Sequence, residues 1–528
     1  MSARLSIYDA AQGLPSHPVP KKRRPWAFII IGSILALCAV VIPIAVVFTS
    51  KSDTHPNAAT KAASAASKAH KIGPNDLTPK PKWDFDVNKI VGINLGNWLI
   101  LERWMVEDWF VEKAGPNSWD EWSFTIAQGD NAAKLLDEHW STWVTEADVE
   151  KLYQAGINTF RIPIGYWIFV ETVPPEPYIQ TGQLDYLERL CGWAYARDMY
   201  IILDLHGLPG SQNGEQQSGH NTTSPNFFQP LQQARSDQTI KAVVDWIGSS
   251  AYYSIISGIE VVNEPRPYTT EQRAMLRAFY DRSYETIQTL GPKAPAMLFA
   301  DVSVPRYHVI YVDSCLVTSL PTGGNSHHPQ DPAPNVDLHR PSLHWLFPAQ
   351  TNAADIYNQI CTKGTKYANF PVTTIITEWS LRTGIQNTTF EKSFYEAQLN
   401  TWSWYSGAVF WSLRVLDSKV AVLADKVAQY QWSFESLLER GSIASPTKKG
   451  DTTQFLKELT NPCGAPPTLV RDGPAPQGTA AAAAIADAEA AKAMIPAITK
   501  TIEAAAQQFG LLGIGPKAVH KSSKRRLR

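Results

Sequence analysis

The sequence has almost no net charge and few cysteines. Its 48 lysine and arginine residues are balanced by 49 aspartate and glutamate residues, which gives a formal net charge of −1 at pH 7. Because the chain has no basic surplus, it lacks the general attraction to phosphate polymers on which nucleic-acid binding depends, and no nucleic-acid partner is expected. The five cysteines form no Cys-x-x-Cys pair and no His/Cys cluster, so neither a metal site nor a cofactor is predicted.

Two β-rich segments each end in a glutamate. Residues 258–265 end in Asn263-Glu264-Pro265, and residues 373–380 end in Glu378-Trp379-Ser380. Proline cannot donate a ladder hydrogen bond, so strand pairing stops there and leaves Glu264 at the rim of the sheet, beside an amide that can bind a sugar hydroxyl. Two glutamates at two strand ends are what glycoside hydrolysis needs, one as acid and then base, the other as nucleophile.

These two motifs resemble the acid/base and nucleophile motifs of glycoside hydrolase family 5. More closely, the chain resembles the fungal exo-β-1,3-glucanases of that family, from about Trp83 to about Gly464. The resemblance implies a retaining enzyme that releases glucose from the β-1,3-glucan of the fungal cell wall, with Glu264 as acid/base and Glu378 as nucleophile. Its partner would be a β-glucan polysaccharide. The alternatives are a β-1,6- or β-1,4-glucan hydrolase with the same chemistry, and a catalytically silent carbohydrate-binding wall protein.

The same region contains eight strand-like runs, most of them followed by helical patterns. They are Val91–Leu95, Asn158–Ile164, Tyr200–His206, Ile256–Asn263, Ala296–Val302, Asn335–His339, Thr373–Glu378 and Ala408–Leu413. Together with the resemblance, they predict an α/β fold, a (β/α)8 TIM barrel with enlarged loops. Glu264 then ends strand four and Glu378 ends strand seven, so both lie at the C-terminal face, where such barrels build active sites.

Further polar residues near the strand ends are candidates for substrate binding. Arg161 lies among apolar neighbours in a strand and needs a partner, for which the carboxylate of the nucleophile is suitable. The resemblance implies that His206 belongs to the site after strand three, and that Glu102 hydrogen-bonds the terminal sugar. It also implies that Trp411, on strand eight, forms the floor under that sugar.

The chain departs from its relatives at several positions near the substrate. Relatives carry a His-x-Tyr after strand six, whereas here either His339 or His344 matches the histidine and no tyrosine is placed. Asn97 and Arg103 stand where glycine and proline are usual, and Glu215 stands where relatives often have an aromatic residue. These departures leave the linkage preference, and the choice between exo and endo action, open.

Covalent modifications are predicted at four positions. Cys361 and Cys463 align with a pair that is bridged in relatives, so the resemblance implies a disulfide between them, as an extracellular location permits. The Asn-x-Thr motifs at Asn221 and Asn387 lie in predicted loops and are candidate glycosylation sites.

The first 82 residues resemble the anchor of a membrane protein. An uncharged apolar run over residues 26–48 is long enough to span a bilayer as a helix, and Lys21-Lys22-Arg23-Arg24 before it predict a cytoplasmic tail over residues 1–25. Residues 49–82, rich in Ala, Ser and Lys, are predicted to be a flexible stalk. We therefore expect a single-pass type II plasma membrane protein with its catalytic domain on the cell-wall side. The alternative is a cleaved signal peptide.

The sequence changes character again after the predicted barrel, which covers residues 83–464. Residues 465–528 are rich in alanine and proline and end in a basic run, so they are expected to be a low-complexity tail. Residues 480–492 have the composition of a helix, but nothing in the pattern marks a packed domain.

Overall fold

The eight strands of the protein pair in chain order, and the eighth pairs with the first to close a barrel. All neighbouring strands are parallel. The strands are β1 (Ile90–Asn94), β2 (Thr159–Gly165), β3 (Tyr200–Gly207), β4 (Ile256–Glu260), β5 (Ala296–Phe299), β6 (Ile310–Ser314), β7 (Thr374–Trp379) and β8 (Gly407–Phe410). The computed structural model describes residues 73, 75–299, 310–314, 352–367, 374–419, 429–443, 452–468 and 479–511.

Most strands are buried along their whole length, as expected for a parallel sheet covered on both faces. A small apolar cluster links five of them and is separate from the main core; its members are Ile90, Ile202, Leu298, Ile375 and Val409. Trp83 and Phe85, which precede β1, pack against this cluster. The barrel is therefore a packed core, and chemistry is confined to its rim.

Helices connect most of the described strands. The described residues form twelve α-helices: α1 (Glu107–Ala114), α2 (Glu121–Gln128), α3 (Ala132–Trp143), α4 (Glu146–Gln154), α5 (Gln183–Tyr195), α6 (Pro230–Ser249), α7 (Thr270–Gln288), α8 (Ala353–Tyr367), α9 (Thr388–Trp402), α10 (Phe434–Glu439), α11 (Thr452–Lys457) and α12 (Thr479–Gln508). Side chains cap several helix starts; Thr145 and Asp148 form a capping box at α4, for example. Alternation of strand and helix confirms the α/β barrel.

The sixth strand differs from the prediction. The structure forms β6 from Ile310–Ser314, which pairs with β5 and β7, so the assignment of strand six to Asn335–His339 is wrong. Both segments lie between strands five and seven, but Ile310-Tyr311-Val312 is the denser run of β-branched and aromatic residues. Residues 335–339 lie outside the described part of the chain.

The region beyond the barrel contains a packed helix, where a low-complexity tail was expected. Helix α12 packs against α6 and α7. It buries Ala491, Ile498, Ile502 and Ala506, which recur at spacings of seven and four residues and so share one helical face. The alanine-rich composition concealed this face, because alanine supports a helix without marking which side is buried.

A disulfide between Cys361 of α8 and Cys463 confirms the predicted bridge, and it closes a separation of 102 residues. Cys191 is a buried free thiol. Across the described ranges, no helix combines the length and the apolar character needed to cross a bilayer. The predicted span over residues 26–48 lies outside those ranges, as do the predicted cytoplasmic tail and most of the stalk.

Candidate active site

Glu378 is the penultimate residue of β7, and it lies at the carboxyl end of the barrel with its side chain 8% exposed. The guanidinium of Arg161, from β2, donates through Nη1 to Glu378 Oε1 at 2.9 Å. Because Arg161 is itself fully buried, this contact fixes the orientation of the Glu378 carboxylate. The structure thus places the predicted arginine beside the predicted nucleophile.

Arg161 is the centre of a buried polar cluster that also contains three residues missed in the sequence: Asn94, Asp204 and Glu260. Its Nε donates to Glu260 Oε2 at 2.8 Å and its Nη2 lies 3.1 Å from Asp204 Oδ2. Asn94 of β1 accepts from Nη1 at 2.9 Å, and its own amide donates to the Thr377 carbonyl at 2.8 Å. The sequence contained a signal that could have identified these residues, because each of them interrupts an apolar run that forms a barrel strand.

The electrostatics of the cluster follow from its burial. Burial raises the pKa of Glu378, and it raises the pKa values of Asp204 and Glu260 to about 7, although the charge of Arg161 opposes each shift. Burial alone would lower the pKa of Arg161, but the three carboxylates outweigh it and raise that pKa. One guanidinium therefore faces three carboxyl groups, and the three do not ionise independently.

His206 belongs to the same buried cluster. Its Nδ1 lies 2.6 Å from Asp204 Oδ2, and its Nε2 lies 3.4 Å from the amide nitrogen of Asn263. Burial, followed by the charge of Arg161, lowers the pKa of His206 to about 4. The ring is therefore neutral near pH 7, donating from Nδ1 to Asp204 and accepting at Nε2 from Asn263.

Glu264 lies in the loop after β4, and its backbone has a φ of +45°. Strand four was expected to continue to Asn263, but it ends at Glu260. This prediction was wrong because Glu264 is in the left-handed region and is followed by proline, two features that end a strand before its apolar pattern does. The backbone N–H of Asn263 still donates to the Leu205 carbonyl at 3.0 Å, so the loop follows the edge of β3.

Side chains from the loop after β3 hold this segment in place. The amide of Gln212 donates to the Asn263 carbonyl at 2.9 Å, and the amide of Asn213 donates to the Glu264 carbonyl at 3.2 Å. Gln217 donates to Glu264 Oε2 at 3.3 Å. Asn263 is fixed further by Arg161, whose Nη2 donates to its side-chain oxygen at 2.9 Å. Two neighbouring barrel loops therefore position Glu264.

Glu102 is buried with one carboxylate oxygen available for a ligand. Its Oε2 accepts from the indole of Trp104 at 2.9 Å, whereas Oε1 has no hydrogen-bond partner. Burial raises the pKa of Glu102 to about 8, and the charge of Glu378 adds to the shift. Its backbone N–H donates to Asn97 Oδ1 at 2.7 Å. Asn97 has a φ of +57°, a conformation that asparagine tolerates, which explains why it can stand where glycine is usual.

Trp411 was predicted on strand eight, but β8 ends at Phe410, so Trp411 is the first residue after the strand. Its backbone N–H donates to the Trp379 carbonyl at 2.7 Å, and its ring stacks on His206 with centroids 5.7 Å apart. A Cβ at Gly96 would lie 2.9 Å from Trp411 Cζ2, so only glycine allows the indole its position. The indole is therefore held between two elements of the site.

Comparisons with known proteins agree with this geometry. Residues 126–313 match the family described as Cellulase (glycosyl hydrolase family 5). The chain is 30% identical over 344 residues to glucan 1,3-beta-glucosidase 1 of Schizosaccharomyces pombe, a match that covers 62% of this chain and 79% of the relative. This chain belongs to glycosyl hydrolase family 5. The family match contains Glu264 and ends before Glu378, which the structure places in the same barrel.

A second curated relative matches over a shorter stretch. The chain is 38% identical over 221 residues to the probable glucan 1,3-beta-glucosidase A of Neosartorya fischeri, which covers 40% of this chain and 50% of the relative. The chain thus spans about half the length of that relative. Among solved structures, rutinosidase from Aspergillus niger aligns with a TM-score of 0.57 at 19% identity, covering 69% of this chain and 99% of that one. At this identity the likeness shows the fold.

Some predicted residues of this family 5 chain are not part of the site that the structure describes. His339 and His344 lie outside the described residues. Asn221 and Asn387 are exposed on the surface, and Asn387 caps α9 by accepting from the Phe390 N–H at 3.0 Å. Glycosylation at both asparagines stays a prediction. Within the described residues, no cluster of histidine, cysteine or acidic side chains is arranged to hold a metal ion.

Proposed function

We propose that this chain is a retaining glycoside hydrolase that releases glucose from the β-1,3-glucan of the fungal cell wall. The observation that carries the proposal is the buried Glu378 carboxylate, oriented by Arg161 at 2.9 Å, with the second carboxylate, Glu264, on a loop of the same barrel rim. Family membership supports the reaction, and the names of the relatives support the linkage.

In the first step, a carboxylate oxygen of Glu378 attacks the anomeric carbon. The bond from that carbon to the glycosidic oxygen breaks, and Glu264 gives its proton to the departing oxygen. Arg161 fixes Glu378 Oε1, so the carboxylate needs little reorganisation before attack. The products of this step are a glycosyl ester on Glu378 and the released sugar.

In the second step, water replaces the first leaving group. Glu264, now ionised, accepts a proton from the water as its oxygen attacks the anomeric carbon, and the ester bond to Glu378 breaks. The sugar leaves with its original anomeric configuration, and both glutamates return to their starting states. Retention requires the two carboxyl groups to be about 5–5.5 Å apart when substrate is bound.

Three further side chains fit the binding of the terminal sugar. The Oε1 atom of Glu102 is buried without a partner and suits a sugar hydroxyl. The indole of Trp411 offers an apolar face to the ring, and the amide of Asn263 is held between Arg161 and His206. Since these groups are fixed before substrate arrives, the protein loses little conformational entropy when the sugar binds.

The proposed location is the plasma membrane, with the barrel on the cell-wall side and an anchor helix over residues 26–48. The basic cluster at Lys21–Arg24 and the apolar run after it support this orientation. The Cys361–Cys463 disulfide fits an oxidising compartment. Protease added to intact cells should release the barrel and spare the N-terminus; protection of residues beyond 82 would contradict this topology.

Paired variants test the chemistry. Glu378→Gln should be inactive on every substrate, because the attacking charge is gone. Glu264→Gln should lose about 10²–10⁴-fold in its rate of glucan hydrolysis. It should still be glycosylated by dinitrophenyl β-glucoside, because the dinitrophenolate group leaves without a proton. Azide should restore its turnover, because azide attacks the ester without a base. Glu439→Gln, the same change at an exposed position on α10, should behave as wild type.

Product analysis separates the alternatives. Wild-type protein incubated with laminarin, β-1,6-glucan and β-1,4-glucan should release glucose from laminarin, first seen as the β-anomer by NMR. If Glu264→Gln and Glu378→Gln both retain wild-type hydrolysis, the assigned pair is wrong. Preferential cleavage of another glucan would change the proposed linkage specificity and leave the proposed mechanism intact. Glucan that is bound and never cleaved would identify a carbohydrate-binding protein.

A further inference from the structure

A group of polar side chains lies next to the proposed acid/base, beyond the cluster around the nucleophile. Gln217, in the loop after β3, donates to Glu264 Oε2 at 3.3 Å. Arg266 lies two residues after Glu264 and forms an ion pair with Glu215, with Nη1 and Oε1 2.6 Å apart. The backbone ties the same two segments together, since the Arg266 N–H donates to the Gln212 carbonyl at 3.1 Å.

The position of this group relative to the reaction follows from the geometry of displacement. Glu378 attacks the anomeric carbon from one face, so the bond to the leaving group breaks toward the opposite face, where Glu264 delivers the proton. Side chains that contact Glu264, or that lie close enough to it to interact with its charge, therefore border the leaving group. Gln217 contacts Glu264 directly. The carboxylates of Glu215 and Glu264 both raise the pKa of Arg266, outweighing the burial that lowers it.

The ion pair is accessible enough to meet a ligand. The side chain of Arg266 is 18% exposed and that of Glu215 is 30% exposed, in contrast to the fully buried Arg161. A sugar carries hydroxyl groups that both donate and accept, so it can hydrogen-bond a guanidinium and a carboxylate together. An apolar ring placed there would desolvate two charges without replacing their hydrogen bonds.

Building on the proposed function, we propose that Glu215, Gln217 and Arg266 form a polar leaving-group subsite that selects a sugar over an apolar aglycone. The substrate class that follows is an oligosaccharide or polysaccharide of glucose, in preference to glucosides of phenols or alkyl chains.

The test compares two substrates that share the glucose unit and differ in the leaving group: laminaribiose, which releases glucose, and hexyl β-glucoside, which releases an apolar alcohol. Both leaving groups are alcohols that need a proton from Glu264, so damage to the acid/base would slow both to a similar extent. In Glu215→Gln and Arg266→Met, we expect the ratio of kcat/KM for laminaribiose to kcat/KM for the hexyl glucoside to fall about 10- to 100-fold, as for the loss of a hydrogen bond to a charged group.

Arg197→Met is the matched control. Arg197 is an arginine with a side chain 16% exposed, paired with Glu146 and Glu150 on α4, away from the described site. Its variant should leave the ratio within twofold. Thermal melting of all variants separates folding defects from binding defects, since the ratio is taken on folded protein only.

The outcomes are distinct. An equal loss on both substrates would show that the ion pair only positions Glu264, and would overturn the subsite. An unchanged ratio with unchanged rates would overturn it as well. If the wild type cleaves neither substrate nor laminarin, it is the proposed function that fails. Free glucose at high concentration should accept the glycosyl group in the wild type and less so in Arg266→Met, which is a second readout of the same subsite.

Discussion

Replacement of Arg161 by methionine should cause a large, pH-dependent loss of stability. Methionine approximates the length of arginine without its charge, so it takes from Asp204, Glu260 and Glu378 the buried guanidinium that all three contact. Removing one partner from a buried ion pair typically costs about 3–5 kcal/mol, because the remaining charge is uncompensated. The guanidinium contacts these three carboxylates at 2.8–3.1 Å.

The size of the effect can be expressed as a melting temperature. Unfolding entropy is about 2.1 cal/mol/K per residue, which for a domain of roughly 400 residues is about 0.8 kcal/mol/K. The loss therefore corresponds to a Tm lower by about 4–6 °C near pH 7. Arg197→Met removes an arginine with two carboxylate partners that are 57% and 46% exposed, and should cost no more than about 1 kcal/mol.

The pH dependence provides the stronger test. Without Arg161, the pKa values of the three carboxyl groups rise further above those in the unfolded chain, so the folded state binds more protons. The stability deficit of the variant should then be smallest near pH 5 and grow as pH rises through neutrality.

Adding Glu260→Gln to Arg161→Met should recover part of the lost stability, giving a coupling free energy in a double-mutant cycle. Differential scanning calorimetry at several pH values measures all four proteins. A deficit that is equal at pH 5 and pH 8, with additive variants, would refute the reasoning.

Three more predictions concern stability. Replacing Cys361 and Cys463 by serine opens a loop spanning 102 residues, which in the chain-entropy model costs about 4.7 kcal/mol and should lower Tm by about 6 °C; a change under one degree would contradict the model. Ile502→Asp places a charge on the buried face of α12 and should lower Tm by several degrees, whereas Met494→Asp on its exposed side should not; equal effects would show that the helix does not pack. Wild-type Tm should fall between pH 6.5 and 8, because four buried carboxyl groups have folded pKa values of about 7 or 8, above those of the unfolded chain, so stability is lost as pH rises through them. These groups are Glu102, Glu121, Asp204 and Glu260. The pKa values of the buried histidines, lowered to about 4, oppose this trend only below about pH 6.5. A flat or rising melting profile over that interval would contradict the assigned burial of these carboxyl groups.

The residues brought together at the barrel rim were the easiest to predict. Glu264 and Glu378 each end an apolar run with a feature that stops a strand or exposes a side chain, and Arg161 interrupts an apolar strand that cannot hold an unpaired charge. Such signals are local, and the parallel barrel converts them into proximity because all strand ends meet at one rim.

The remaining features depended on tertiary contacts. Asp204 and Glu260 look like isolated polar residues in the sequence, and only the register of β3, β4 and β2 brings them to one guanidinium. The sixth strand was assigned to Asn335–His339 although Ile310–Ser314 has the denser β-forming run, and only its pairing with β5 and β7 located the strand. The packed face of α12 was concealed because alanines fill nearly half of its positions, and its partners α6 and α7 lie far away in sequence.

The cluster around Arg161 also bears on how the proposed enzyme completes its cycle. When Glu378 becomes a glycosyl ester, it loses the negative charge that faces Arg161, and a fully buried guanidinium would then lack one partner. Glu260 Oε2 at 2.8 Å and Asp204 Oδ2 at 3.1 Å keep it paired throughout. The guanidinium therefore stays in position to receive the carboxylate that the second step regenerates. Since its orientation is already set, the departing carboxylate is stabilised as its charge develops, which favours hydrolysis of the ester.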